Sequence, residues 1–175
     1  YDFTDLENIE GIHFVDPNIT LQSLISTDQS TKGILVKSIL PQNINHYSFI
    51  DEELRDSQLL KNNGIILGYA LAENMRIEIG SELKLFSSNT ISSPFGQFPR
   101  SMTMRVSSVF NSGMSEYDSN FAYISLENAQ KISGLQNEIS IIEVHLNSIN
   151  ETDKIKEKIS NKYVSENLIV RDWKQ

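Results

Sequence analysis

The stretch from Glu82 to Val106 restricts the fold of this chain more than any other. Leu83 and Leu85 alternate with Glu82 and Lys84, and Met102, Met104 and Val106 alternate with Thr103 and Arg105. Apolar residues at every second position belong to strands that bury one face. The link between these two strands is too long for a tight hairpin turn, so a protruding loop is expected over 88–99. Pro94 and Pro99 each fix φ and lack a donor, which keeps them out of a central ladder, and Gly96 permits a φ that other residues resist. The loop also carries Ile91, Phe95 and Phe98. Such side chains either fold back onto the body or wait for a partner.

The rest of the chain can supply a body for that loop. Its 175 residues are 39% hydrophobic and 22% charged, ordinary for a globular chain with a core. The net charge of −8 is spread without a basic block. Nucleic-acid binding is not expected, because neutralising phosphates needs clustered Lys and Arg. The absence of cysteine excludes disulfides, thiol catalysis and cysteine metal sites. No apolar run within these residues reaches the length of a membrane span. Tyr1 in place of Met, and a start inside a helix, lead us to expect a piece of a longer chain.

Taken in order, a helix is expected to end near Ile9, with strands over 11–17, 19–24 and 33–40. Residues 43–63 carry weak helical patterns. A strand at 64–68 leads into a helix through Leu71 and Met75. After the 102–110 strand, 111–120 reads as a loop rich in turn formers, followed by a strand at 121–124 and a helix near 126–132. Ile142, Val144 and Leu146 mark a strand. Asn150 is a plausible N-cap for a helix carrying Ile155, Ile159 and Tyr163. Leu168, Ile169 and Val170 are expected to form a closing strand, anchored by Trp173. Strand–helix segments at both ends around a strand-rich middle point to an α+β fold with an inserted lobe.

No constellation of catalytic residues emerges. His13, His46 and His145 lie far apart with no metal-ligand spacing, and His145 is expected on the solvent side of its strand. Glu116 and Asp118 could pair for hydrolysis but lack a base or nucleophile nearby, and turn geometry accounts for Asp118. Ser93 and Ser112 stand outside any nucleophile-elbow pattern. Gly64 and Gly68 are not followed by the Lys and Ser/Thr of a phosphate loop.

Several motifs together resemble a known family. Gly64-Ile65-Ile66-Leu67-Gly68-Tyr69-Ala70-Leu71-Ala72, with Gly80 after it, resembles the opening of extracytoplasmic domains in MacB-like ABC permeases. Phe110-Asn111-Ser112-Gly113-Met114-Ser115-Glu116-Tyr117-Asp118 resembles the F-x-S-G-x-x-E-Y-D segment of the lipoprotein-releasing branch, and Ala122 to Gln130 its strand and D/N-A-Q helix. Pro94-Phe95-Gly96-Gln97-Phe98-Pro99 resembles the tip of the Hook, the hairpin with which LolC-type permeases capture the chaperone LolA.

The resemblance implies a two-lobed α+β domain. Residues 1–62 and 121–175 would form a Porter-like lobe lacking its first strand, and 63–120 a Sabre-like lobe with the Hook-like loop 88–99. It implies chaperone-binding roles for Ile91, Pro94, Phe95, Gly96, Gln97, Phe98 and Pro99, and a Pad-like role for Lys84, Arg100, Ser101 and Met102. The implied protein is a bacterial inner-membrane permease with one span before this periplasmic domain and about three after it. Its partners would be LolA, a second permease subunit, the cytoplasmic ATPase LolD and outer-membrane lipoproteins. No catalysis, cofactor or metal is expected in the domain itself. A LolC-type, a LolE-type or a combined permease all remain open. The alternatives are a MacB-like or cell-division-type domain that binds a periplasmic adaptor, or an extracytoplasmic hydrolase.

Overall fold

The computed structural model describes residues 3–50, 57–94, 96–163 and 169–172. It is a mixed α+β structure in which strands dominate, and the chain divides into two compact units. One is Tyr1–Asp16 with Ile142–Gln175, and the other is Pro17–Ile141.

The larger unit is built on a closed six-stranded barrel in the order β2-β3-β7-β4-β6-β5. Its strands are β2 (Thr20–Ser26), β3 (Thr31–Ile39), β4 (Gly64–Gly68), β5 (Glu82–Ser93), β6 (Gly96–Phe110) and β7 (Phe121–Ser125). β3 pairs with β7, and β4 with β6, in parallel; the other ladders are antiparallel. The alternation seen in the sequence is what fills the interior. Leu83 and Leu85 on β5, Met104 and Val106 on β6, and Leu21 and Ile25 on β2 point inward. Their neighbours Lys84, Thr103 and Gln22 face out. Two helices, α2 (Tyr69–Met75) and α4 (Leu126–Ser133), add Leu71, Met75, Leu126, Ala129 and Ile132 to this core.

The smaller unit contains α1 (Thr4–Glu7), α5 (Thr152–Lys162) and most of the paired strands β1 (Ile12–Asn18) and β8 (Ile141–Leu146), β1 as far as Asp16 and β8 from Ile142. Leu6, Ile12, Val15, Ile155 and Ile159 form its core.

The division between units differs from the expected lobes 1–62 with 121–175 and 63–120. β2, β3 and β7, expected in the terminal lobe, close the same barrel as β4, β5 and β6. Ile19, Ile34, Val36 and Ile124 accordingly share one core with Leu67, Leu83 and Met104. Leu71, Met75 and Val106 of the 63–120 segment lie in that same shared core.

Local expectations also change. The 111–120 segment, read as a loop, contains the helix α3 (Ser115–Asn120). α5 begins at Thr152 with Glu151, not Asn150, at its N-cap and no capping side chain; Ser148 caps the short 3₁₀ turn before it, accepting from the Asn150 N–H. Ile169 and Val170 are not in a strand. Leu168 and Trp173 lie outside the described residues. His145 is half-buried and stacks on Phe14 at 4.0 Å, so it is not a solvent-side residue.

Candidate functional site: the β5–β6 arm

β5 and β6 are longer than the barrel needs. β2 pairs with β5 no further than Ser87, and β4 reaches β6 no earlier than Arg105. Beyond those points the two strands pair with each other as far as Ser93 and Gly96. The expected loop 88–99 is therefore a two-stranded ribbon whose link is only Pro94 and Phe95, with Phe95 itself outside the described residues. At about 3.3 Å per residue, Ser88 to Ser93 spans roughly 16 Å.

Pro99 fits this ribbon because of the pair it occupies. Counted from a two-residue link, Ser93 and Gly96 form a hydrogen-bonded pair, and pairs alternate along the ribbon. The Thr90–Pro99 pair then falls where N–H groups point away from the partner strand. Pro99 costs the ribbon no bond there, and it blunts the outer edge against pairing with other chains. Gly96 has φ +124, and the space where a Cβ would stand is open. Backbone conformation is the reason for glycine there.

Ile91 and Phe98 stand directly opposite each other and so share one face. They are 45% and 53% exposed. Pro94, Gln97 and Pro99 are exposed too, with Gln97 opposite Ser92. These side chains have not folded back onto the body.

The four Pad-like residues do not share a surface. Lys84, opposite Thr103, and Ser101, opposite Phe86, face outward from the barrel wall. Met102, opposite Leu85, faces inward and is packed against the barrel core. Arg100 is half-buried, and its guanidinium lies against Gly134 at the end of α4; a Cβ on Gly134 would be 2.9 Å from Arg100 Cζ.

Between barrel and arm the ladder breaks. Phe86 pairs with Ser101 and Thr90 with Pro99, so Ser87, Ser88 and Asn89 together oppose Arg100. This wide bulge was not read from the sequence. The available signal was a Ser-Ser-Asn run, poor in strand formers, between two alternating segments. Beside it, on the outer barrel wall, lies an open groove of about 1020 Å³ whose apolar lining includes Leu24, Leu35, Phe86, Met114, Tyr117 and Phe121.

The residues considered for catalysis have structural surroundings. The buried Asp118 carboxylate accepts the Ser112 N–H at 2.9 Å and the Ser112 hydroxyl at 2.7 Å. Glu116 is exposed on the same helix, so the two carboxylates sit in different environments. Tyr117 stacks on Phe121 at 4.1 Å and meets Phe110 edge-on. Gly64 and Gly68 are packed against backbone: an added Cβ would overlap the Leu59 carbonyl in one case and the Asp118 carbonyl in the other. Gly68 and the F-x-S-G-x-x-E-Y-D segment thus share one role, seating α3 on β4, while Gly64 admits the close approach of the 57–60 turn. Among the described residues, no three His, Asp or Glu side chains converge as metal ligands. No described helix is long and apolar enough to cross a membrane.

No family model matches the chain. Among curated proteins it is similar to the lipoprotein-releasing system transmembrane protein LolC of Neisseria meningitidis serogroup B, 22% identical over 95% of this chain. It is also similar to LolC of Xylella fastidiosa, 27% identical over 66% of this chain. The chain spans 41% of the first relative and 29% of the second. Among solved structures, the periplasmic region of MacB from Actinobacillus actinomycetemcomitans matches with a TM-score of 0.60 and 12% identity, covering 97% of this chain and 76% of that one. The extracellular domain of the noncanonic ABC-type transporter YknZ from Gram-positive bacteria matches with 0.57 and 14%, covering 93% and 82%. The chain therefore has the fold of the MacB-like extracytoplasmic domains of ABC permeases, and in sequence it is similar to LolC-type permeases.

Proposed function

We propose that this chain is the periplasmic domain of a lipoprotein-releasing ABC permease in a bacterial inner membrane, and that the β5–β6 arm docks the chaperone LolA. The observation that carries the reading is the exposed Ile91–Phe98 pair, held on a ribbon that leaves the barrel with no core to cover it. Pro94 and Pro99 limit the conformations the free arm can visit, so docking costs less entropy, and aromatic anchors at the centre of an interface supply most of its affinity. The similarity to LolC supports the choice of partner. ATP would be hydrolysed by a separate cytoplasmic subunit of the LolD kind, and its motion would reach this domain through membrane segments of the permease and a second permease subunit. The domain itself then performs no covalent step. It positions the chaperone so that an outer-membrane lipoprotein can pass from the membrane into the chaperone's cavity.

Calorimetric titration of the domain with LolA from the same organism tests the reading. Saturable binding that Phe98→Ala weakens at least tenfold is the expected result. No binding by the unaltered domain would overturn it and favour a MacB-like adaptor-binding role.

A further inference from the structure

The bulge at the base of the arm is fastened to the end of α4, and by two strands at once. From β5, Asn89 donates its side-chain Nδ2–H to the Ser133 carbonyl at 2.9 Å. The Asn89 backbone N–H is itself held by the Ser87 hydroxyl at 3.1 Å, which fixes the path of the bulge. From β6, the Arg100 guanidinium lies against Gly134. Gly134, at φ +78, is the left-handed residue that ends α4. It allows this approach because it has no Cβ.

The last carbonyls of a helix have no partner within the helix, and the helix C-terminus carries partial negative charge. Asn89 satisfies one such carbonyl, and Arg100 brings a cation to the same end. α4 is in turn seated in the barrel core through Leu126, Ala129 and Ile132, and its first turn is capped by Ser125, which accepts the Asn128 N–H at 3.2 Å. An unbroken physical connection thus runs from the barrel core through α4 to the two strands of the arm. A bare bulge would instead leave the ribbon free to swing, since the ladder is interrupted where arm meets barrel.

We infer that Asn89 and Arg100 are positioning residues that clamp the arm to α4 and set its direction relative to the barrel. The clamp itself does not depend on what the arm binds. Its consequence for docking rests on the function proposed above.

The test uses the absence of cysteine in the chain. Spin labels are placed at Ser92→Cys on the arm and Asn74→Cys on α2, both exposed positions, and their separation is read by pulsed electron–electron resonance in the full chain. A narrow single distance distribution is expected for the labelled parent. Asn89→Ala and Asn89→Asp, the second keeping the size of the side chain but removing the donor, should each widen it at least twofold. The melting temperature should stay within a few degrees. An unchanged width in a folded Asn89 variant would overturn the clamp, as would a broad distribution in the parent. If both variants fail to fold, Asn89 is a stability residue and the inference also falls. Titration with LolA separates the two readings. If Asn89→Ala widens the distribution but neither it nor Phe98→Ala changes LolA binding, the clamp stands and the docking function falls.

Discussion

Asp118 accepts both the N–H and the hydroxyl of Ser112 and is buried where it does so, while Glu116, on the same turn of α3, is exposed. The two carboxylates should therefore respond differently to substitution. Asp118→Ala leaves the two partly buried Ser112 donors without their acceptor and is expected to cost about 1–2 kcal/mol in urea unfolding. Glu116→Gln should leave stability and chaperone binding unchanged within error. Hydrolytic activity that vanished with Glu116→Gln would contradict the non-catalytic reading. Gly68 is stricter still, because any Cβ there meets the Asp118 backbone and neither side can yield. Gly68→Ala is expected to destabilise by about 3 kcal/mol or to prevent folding. These glycines were visible in the sequence as part of a motif. Their reason was not, since close backbone approach between segments far apart in the chain leaves no mark beyond the glycine itself.

The arm joins two kinds of information at the level of the element. The alternation of Leu83, Leu85, Met104 and Val106 was legible because one face of each strand meets the barrel core. Beyond Ser87 both faces of the ribbon are exposed, so the period-two signal disappears although the strands continue. That is why a hairpin with a two-residue link was read as a long loop. α3 was missed for a related reason: Gly113 and Asp118 are turn formers, and the one buried side chain of the short helix is the polar Asp118 itself, so no apolar stripe marks it. Exposure decides what substitution of the arm should do. A core phenylalanine replaced by alanine costs about 3–5 kcal/mol. Phe98→Ala and Ile91→Ala are expected to cost less than about 1 kcal/mol in thermal melts, yet about 2 kcal/mol or more of chaperone affinity by calorimetry. Pro94→Gly should weaken binding more modestly, by loosening the free arm. A large fall in melting temperature with intact binding would mean that the arm is part of the fold and not a docking element.

For the whole molecule, the closed barrel decides how stability is shared. Its closure pairs Val36 with Ala122 in parallel and Ser23 with Ser87, contacts between positions distant in the chain that periodicity cannot reveal. The strand-rich middle therefore looked like an insertion with a core of its own, whereas its inward residues interleave with those of β2, β3 and β7. The α+β class was readable because it depends only on the types of elements present; the division into units depends on which strands close the barrel. Met104→Ala tests the difference. Met104 is fully buried in the shared core, so the substitution should cost about 2–5 kcal/mol. In hydrogen-exchange mass spectrometry it should speed exchange in 20–39 and 121–125 as much as in 64–68 and 82–87, because strands sharing one core open as one cooperative unit. Ile155→Ala, in the core of the smaller unit, should instead accelerate exchange in α5 and β8 and leave the barrel strands near their original rates. Faster exchange confined to 63–120 in the Met104 variant would restore the expected boundary and argue that the middle of the chain folds by itself.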